Sequence, residues 1–198
     1  MNGGLLRGGA RVLLGGPEGA ETTGDLLIRE GRIVAVGGEL AAQAGGARVL
    51  DARGLTVLPG FVQSHVHLCQ TLFRGLAEDL PLLPWLRERI WPLEAAHDPA
   101  SLRTSARLSV AELLRGGTTA ILDMGTTHHH HAVFEVLEET GIRAASGKAM
   151  MDEGEGIPLG LLETTMDSLR ESFALAERWD GAAGGRLRYA FAPRFALS

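Results

Sequence analysis

Leu55-Thr56-Val57-Leu58-Pro59-Gly60-Phe61-Val62-Gln63-Ser64-His65-Val66-His67 is the stretch on which the reading of this 198-residue chain turns. Its apolar part, Leu55 to Val62, predicts a buried strand. On an extended chain, residues i and i+2 point to the same side, so His65 and His67 can converge on one ion. Imidazole is the commonest protein ligand for zinc and suits iron and nickel as well. A divalent cation held there can turn water into a nucleophile at neutral pH. A lone His-x-His is more simply two histidines on a solvated loop; what surrounds this one decides for the metal.

Upstream, residues 1 to about 58 are glycine-rich with short apolar runs. Arg11–Leu14, Asp25–Arg29, Arg32–Val36 and Arg48–Asp51 read as strands, with Glu30-Gly31 as a tight hairpin. A small β-module follows from these residues alone. After Pro59 the pattern changes to strands alternating with helices, which implies a parallel sheet of βαβ units. Asp98-Pro99 starts a helix, with an N-cap side chain and Pro in the first turn. Leu102, Ala106, Val110, Leu113 and Leu114 recur at helical spacing, and Gly116-Gly117 ends the run. Thr118–Met124 is a β-branched strand. Ala132–Thr140 is a short amphipathic helix ending at Gly141, and Ile142–Met150 is a third strand. Leu159–Trp179 predicts a longer helix with Leu162, Met166, Leu169, Phe173 and Ala176 on one face. Leu187–Ala192 is the fourth strand.

The bulk numbers exclude several classes. A net charge of -5 gives no basic footprint for nucleic acid. No apolar run approaches the ~18 residues of a membrane span. Met1–Arg7 carries no signal-peptide pattern. Cys69 is the single cysteine, so no internal disulfide forms; this fits a reducing, cytoplasmic setting and excludes a His/Cys/Cys zinc site. No Gly-x-Ser-x-Gly elbow marks a serine hydrolase.

Leu58-Pro59-Gly60-Phe61-Val62-Gln63-Ser64-His65-Val66-His67 resembles the first barrel strand of the amidohydrolase superfamily. Leu72-Phe73-Arg74-Gly75-Leu76-Ala77-Glu78-Asp79-Leu80-Pro81-Leu82-Leu83-Pro84-Trp85-Leu86 and Trp91-Pro92-Leu93-Glu94 are similar to its cytosine deaminase and triazine hydrolase-like branch, with the purine-nucleoside and guanine deaminases. Gly116–Gly125 and Ala192-Pro193-Arg194-Phe195 match more weakly. The likeness runs from about Asp25 to Ser198 and is closest to adenosine-type and 5′-deoxyadenosine deaminases. It implies an α/β fold: the N-terminal half of a metal-dependent (β/α)8 TIM barrel over 59–198, flanked by a partial β-sandwich over 1–58. A full barrel typically takes ~250 residues, whereas four strands are legible here. The chain therefore reads as an N-terminal fragment, inactive alone; a complete four-stranded domain is the alternative.

The resemblance implies one divalent metal ion, zinc first and iron second, with His65 and His67 as its first ligands. In the family, further His ligands come from strands five and six, an Asp at strand eight holds and deprotonates the water, and a Glu after strand five completes proton transfer. Those groups fall beyond Ser198, so no catalytic residue is expected within this chain. The implied reaction is hydrolytic deamination of a purine nucleoside such as 5′-deoxyadenosine. A guanine deaminase or triazine-type hydrolase is the runner-up, and a non-catalytic metal-binding domain is the alternative of another class. The implied partners are a small purine nucleoside or base, no nucleic acid and no membrane, with homo-oligomerisation of the full-length enzyme.

Substrate contacts follow residue by residue. Trp85 matches an indole lining the purine pocket, although a core Trp reads the same way. Glu94 matches a carboxylate that grips ribose hydroxyls, a role suited to a group that accepts two hydrogens. Gln70 and Arg194 resemble the base-edge and purine-oxygen contacts of guanine deaminases and pull toward an oxopurine. Lys148 falls where the nucleoside enzymes hold an Arg for the substrate tail, but lacks the planar fork; a surface lysine is the equal alternative. His128-His129-His130-His131 reads as a solvated loop or helix start, and Asp123 as a structural strand-end carboxylate.

Overall fold

The structure is a computed structural model describing residues 3–15 and 19–194. Residues after Arg194, including Phe195 of the Ala192–Phe195 motif, lie outside the described residues. The chain divides into two compact units, Met1–Pro59 and Gly60–Ser198.

The first unit is built on one five-stranded mixed sheet. Its strands are β1 (Gly4–Gly15), β2 (Ala20–Arg29), β3 (Arg32–Val36), β4 (Arg48–Asp51) and β5 (Thr56–Val57). The order is β3-β2-β1-β4, and β5 also pairs with β1. Glu30 (φ 51°) and Gly31 (φ 75°) are both left-handed, the geometry a two-residue β2–β3 hairpin needs. The first strand is longer than its apolar residues indicated, because glycines dilute the alternation. It takes a register shift between Leu6 and Ala10. Asp25 stabilises that irregular stretch: its buried carboxylate accepts from Gly8 N (3.1 Å) and Leu40 N (2.9 Å). The Leu40 amide bond leads in holding its pKa below the usual carboxylate value.

The expected single strand over Leu55–Val62 is in fact two. Thr56–Val57 belongs to the first unit, and β6 (Phe61–Val66) belongs to the second. Pro59, with no N–H to donate, interrupts any ladder between them. Nor is β6 buried: Phe61 is 53% and Val62 70% exposed. Among the described residues β6 is an edge strand with β7 alone beside it.

The second unit holds a parallel sheet, order β10-β8-β7-β6, of β6, β7 (Thr118–Met124), β8 (Arg143–Gly147) and β10 (Leu187–Tyr189). The third expected strand breaks at Lys148 and resumes as β9 (Ala149–Met150); the fourth resumes as β11 (Ala192–Pro193), which pairs with β9. Gly147 is necessary at this break, because a β-carbon there collides with the Ala190 carbonyl.

Between β6 and β7 run a 3₁₀ segment (Leu68–Phe73) and the helices α1 (Leu82–Trp85), α2 (Trp91–Ala95) and α3 (Pro99–Arg115). Asp98 and Ser101 form a capping box at the start of α3. Helices α4 (His131–Thr140) and α5 (Thr165–Trp179) link the later strands. Leu102, Ala106 and Val110 of α3, most of α4, and Leu175 and Trp179 of α5 share one core with Ile121 and Leu187. Phe134 stacks on Trp179 inside it, ring centroids 5.4 Å apart.

The face expected to bury α5 is the wrong one. Met166 and Phe173 are 66% and 61% exposed, and Ser168, Ser172, Leu175 and Trp179 face inward. The buried ammonium of Lys148, 3.4 Å from Ser168 Oγ, favours polar residues on that face, which hides the burial from an apolar periodicity. The helix also starts six residues later than expected, where Thr164 caps it by accepting from Asp167 N at 3.1 Å.

Substituting Asp25→Ala strands two amides inside the first unit, at a cost of roughly 2–4 kcal/mol. Asp25→Asn should recover only part of it, because one amide oxygen serves one of the two N–H groups and the new NH2 faces the other. Urea unfolding with hydrogen exchange at Gly8 and Leu40 reads both; an unchanged midpoint for Asp25→Ala would show the carboxylate to be dispensable.

Candidate functional site

Parallel strands deliver their C-terminal ends to one side, and the chemically active residues gather there. His65 lies in β6, and His67 follows it in an extended conformation (φ -128°, ψ 93°). The rings sit edge to face with centroids 4.9 Å apart. His67 Nδ1 lies 2.9 Å from the Met124 carbonyl at the end of β7. A carbonyl only accepts, so Nδ1 carries the proton and Nε2 presents its lone pair. Burial pushes the His67 pKa down, against the Met124 bond and the Glu94 charge, which raise it. A neutral imidazole with one nitrogen hydrogen-bonded and the other free is the form that ligates metal. The pair therefore fits a divalent cation, as two of the three protein ligands usual for catalytic zinc.

Glu94 is the hub of a second group. It sits on α2 with its side chain fully buried. Gln70 Nε2 donates to its Oε1 at 2.9 Å, and Arg194 Nη1 to its Oε2 at 2.5 Å. The Arg194 side chain is 4% exposed, so this is a desolvated ion pair. Cys69 Sγ approaches Glu94 Oε1 at 3.8 Å. Burial, with Glu94 and Asp123 nearby, holds the Cys69 thiol pKa well up, which leaves it protonated and inert. His97 braces the 3₁₀ segment, its Nε2 bonding the Cys69 carbonyl at 2.8 Å and its Nδ1 meeting Ser101 Oγ at 3.0 Å. Gln70 N also donates to the His67 carbonyl at 3.1 Å, which ties this group to the histidine pair.

The remaining expected contacts are placed differently. Trp85 is half-buried against a cluster that includes Phe73, Leu86, Ile90 and Trp91. Lys148 is fully buried rather than on the surface. Its ammonium bonds Glu163 Oε2 at 2.5 Å and Oε1 at 2.7 Å, with Ser168 Oγ at 3.4 Å, so its three protons are occupied. His128, Glu163 and Glu171 bring ligand atoms within 4.8 Å of one another. The Lys148 ammonium already supplies a cation to Glu163 there.

The four consecutive histidines are not equivalent, as a solvated run would be. His130 is fully buried, with its Nε2 2.9 Å from Ser146 Oγ. Burial, reinforced by Lys148 and His131, lowers its pKa to about 3. Ser146 Oγ donates to Asp123 Oδ2 at 2.7 Å, and Leu68 N donates to Asp123 Oδ1 at 2.9 Å. Burial raises the Asp123 pKa to about 6 against those two bonds. Sequence reasoning missed this chain. Its one usable sign is Gly125, where a β-carbon collides with the His130 ring.

The fold and site thus define a parallel β/α unit with a metal-type histidine pair at its strand ends. Residues 56–198 match the amidohydrolase family. The chain belongs to that family. It is 36% identical to a 5-methylthioadenosine/S-adenosylhomocysteine deaminase of Desulforamulus reducens, over 98% of this chain and 43% of that protein. It is 38% identical to a 5′-deoxyadenosine deaminase of Methanobrevibacter smithii, over 87% of this chain and 38% of that one. Among solved structures, Escherichia coli guanine deaminase superposes with a TM-score of 0.82 at 32% identity, covering 99% of this chain and 47% of that chain. An atrazine chlorohydrolase of Arthrobacter aurescens complexed with zinc gives 0.81 at 26% identity, over 96% and 46%. The chain thus spans less than half the length of these proteins, and its architecture matches the N-terminal part of a barrel enzyme. No helix among the described residues is long and apolar enough to cross a membrane.

Asp123 and His130 titrate in opposite senses. Between about pH 4 and 6 folded Asp123 keeps a proton the unfolded chain has released, so its contribution to stability falls as pH rises. His130 stays neutral in the fold and is protonated when unfolded below about pH 6.5, so its contribution falls as pH drops. The two slopes offset. Asp123→Asn leaves the histidine slope uncompensated, and the variant should lose up to about 1.4 kcal/mol per pH unit relative to wild type on acidification from about pH 6 to 4. Urea unfolding across that range tests this; parallel curves for the two proteins would contradict it.

Proposed function

We propose that this chain is the metal-binding, substrate-gripping part of a longer cytoplasmic enzyme that hydrolytically deaminates a purine nucleoside of the adenosine or 5′-deoxyadenosine type. The observation that carries the reading is the grouping of His65 and His67 with Glu94, Gln70 and Arg194 at one end of the parallel strands. His65 and His67 would hold the ion, zinc in the first instance. When bound, such an ion supplies activation of water near neutral pH. The likeness to two kinds of nucleoside deaminase over most of the chain supports that substrate class. In this reading 1–58 is part of a flanking β-sandwich, and 59–198 is the first half of the barrel. The lone buried Cys69 fits a reducing cytoplasm, and a homo-oligomer is the proposed assembly.

The residues divide the work as follows. Glu94, buried in the chain, can accept hydrogens from a cis-diol through whichever lone pairs Gln70 and Arg194 leave free. Gln70 can both donate to and accept from a base edge. Arg194 balances the Glu94 charge, so a neutral substrate meets a neutralised pocket. In this reading Trp85 lines the purine pocket, while Lys148 stays tied to Glu163 and offers little to an anionic tail. The Gln70 and Arg194 pair gives guanine as the second reading, in line with the likeness to guanine deaminase.

Glu94→Ala leaves Arg194 buried without its counter-charge, at a stability cost of about 3–5 kcal/mol. Glu94→Gln removes the same counter-charge but keeps the shape and one acceptor oxygen, so it is the milder test, with folding checked alongside turnover. In the full-length enzyme it should lower kcat/KM for 5′-deoxyadenosine by about ten- to a hundredfold, the equivalent of one charge-assisted contact, and spare free bases. Equal losses on nucleoside and guanine would remove the nucleoside assignment. The 198-residue chain by itself should release no ammonia from any purine, with or without added zinc; metal-dependent turnover by it would refute the division of the site across a longer protein.

A further inference from the structure

The buried chain Asp123–Ser146–His130 touches neither the histidine pair's free nitrogens nor the Glu94 group, yet it ends beside His67. Two consecutive residues of β7 grip two consecutive residues after β6. The Met124 carbonyl takes the His67 ring proton at 2.9 Å, and the Asp123 carboxylate takes the Leu68 backbone proton at 2.9 Å. The height of that grip depends on Asp123, whose other oxygen is fixed by Ser146 of β8 at 2.7 Å, in the register that pairs Asp123 with Ser146. Ser146 has one proton and gives it to the carboxylate. His130 Nε2, 2.9 Å from Ser146 Oγ, must therefore be the donor. Its Nδ1 is then the bare nitrogen, and that atom has no hydrogen-bond partner. All three side chains are buried, at 2%, 0% and 0% exposure. Gly125 leaves the space the His130 ring fills, and its own N–H bonds the Gly147 carbonyl at 3.0 Å. The protons in this chain can run in one direction only, from His130 to Ser146 to Asp123.

We propose that Asp123, Ser146 and His130 are positioning residues for the metal centre. They lock the end of β7 so that the Met124 carbonyl holds His67 in the Nδ1-protonated tautomer, with Nε2 aimed at the ion. The proposal rests on the assignment of His65 and His67 as metal ligands. It goes beyond that assignment by naming the groups that set the ligand's tautomer. Groups that orient metal-bound imidazoles typically change metal affinity by about ten- to a hundredfold when altered.

Zinc affinity is measured in the full-length protein by competition with a chromophoric chelator, for wild type, Asp123→Asn, Ser146→Ala and Val136→Ala. Val136 is fully buried in the same core but bonds no member of the chain, so it controls for lost packing. Ser146→Ala, which cuts the chain, should weaken zinc by about tenfold or more, whereas Asp123→Asn, whose amide still joins Leu68 N to Ser146, and Val136→Ala should not. Nitrogen-15 NMR of the metal-free imidazoles gives a readout that needs no variant. His67 should carry its proton on Nδ1 and His130 on Nε2. In Asp123→Asn the new amide must donate to Ser146, which then turns its own proton to His130, so the His130 tautomer should switch to Nδ1–H. Wild-type affinity in Ser146→Ala, an equal loss in Val136→Ala, or a wild-type His130 protonated on Nδ1 overturns the proposal. A wild-type protein that binds no zinc defeats the ligand assignment instead, and the tautomers then decide the chain alone.

Discussion

The hydrogen bond from His67 Nδ1 to the Met124 carbonyl is the constraint around which the site is arranged. It ties the residue just past one strand to the last residue of the next, and it decides which face of an imidazole is available. The strand ends on either side are irregular. Register shifts interrupt β6 against β7, and the third and fourth strands both break beyond β8 and β10. Regular pairing would align backbone groups but leave side chains pointing up or down by parity alone. The break between β8 and β9 lets Lys148 turn inward, and Asp123 from β7 and His130 from the loop before α4 are buried beside it; each such polar group needs a partner. The structure answers with closed sets: Lys148 with Glu163, Arg194 with Glu94, and Ser146 between Asp123 and His130.

Those sets explain the electrostatic character of the strand ends. Desolvating an isolated charge is expensive, so buried acids and bases occur in pairs or shift toward neutrality. Arg194 and Glu94 follow the first course, while Asp123 and His130 follow the second, their pKa values moved to about 6 and about 3. The outcome is a region dense in ionisable groups that carries little net charge.

The sequence made the strand–helix alternation and the histidine pair legible, because both depend on short-range spacing. Strand β7, the capped start of α3 at Asp98 and the Gly141 end of α4 follow from local patterns that tertiary contacts did not override. The errors arose where burial is set from a distance. Ser168 and Ser172 face the core because Lys148 and Glu163 lie beneath α5, so the apolar stripe through Met166 and Phe173 was assigned to the wrong side. The division of Leu55–Val62 between two sheets hinges on Pro59, one residue inside an otherwise continuous apolar run. His130 could not be told from its three neighbours, since the register of one loop selects which ring goes inside. Glu94 and Arg194, a hundred residues apart, meet with Gln70 only in the fold.

Anomalous diffraction at the zinc edge, from crystals of the full-length protein grown with zinc, tests the central claim most directly. The account predicts a single strong peak within bonding distance, about 2.0–2.1 Å, of His67 Nε2 and of a nitrogen of His65, with His67 Nδ1 still on the Met124 carbonyl. A peak on His128, Glu163 and Glu171, or an ion bonded to His67 Nδ1 in place of the Met124 carbonyl, would contradict it.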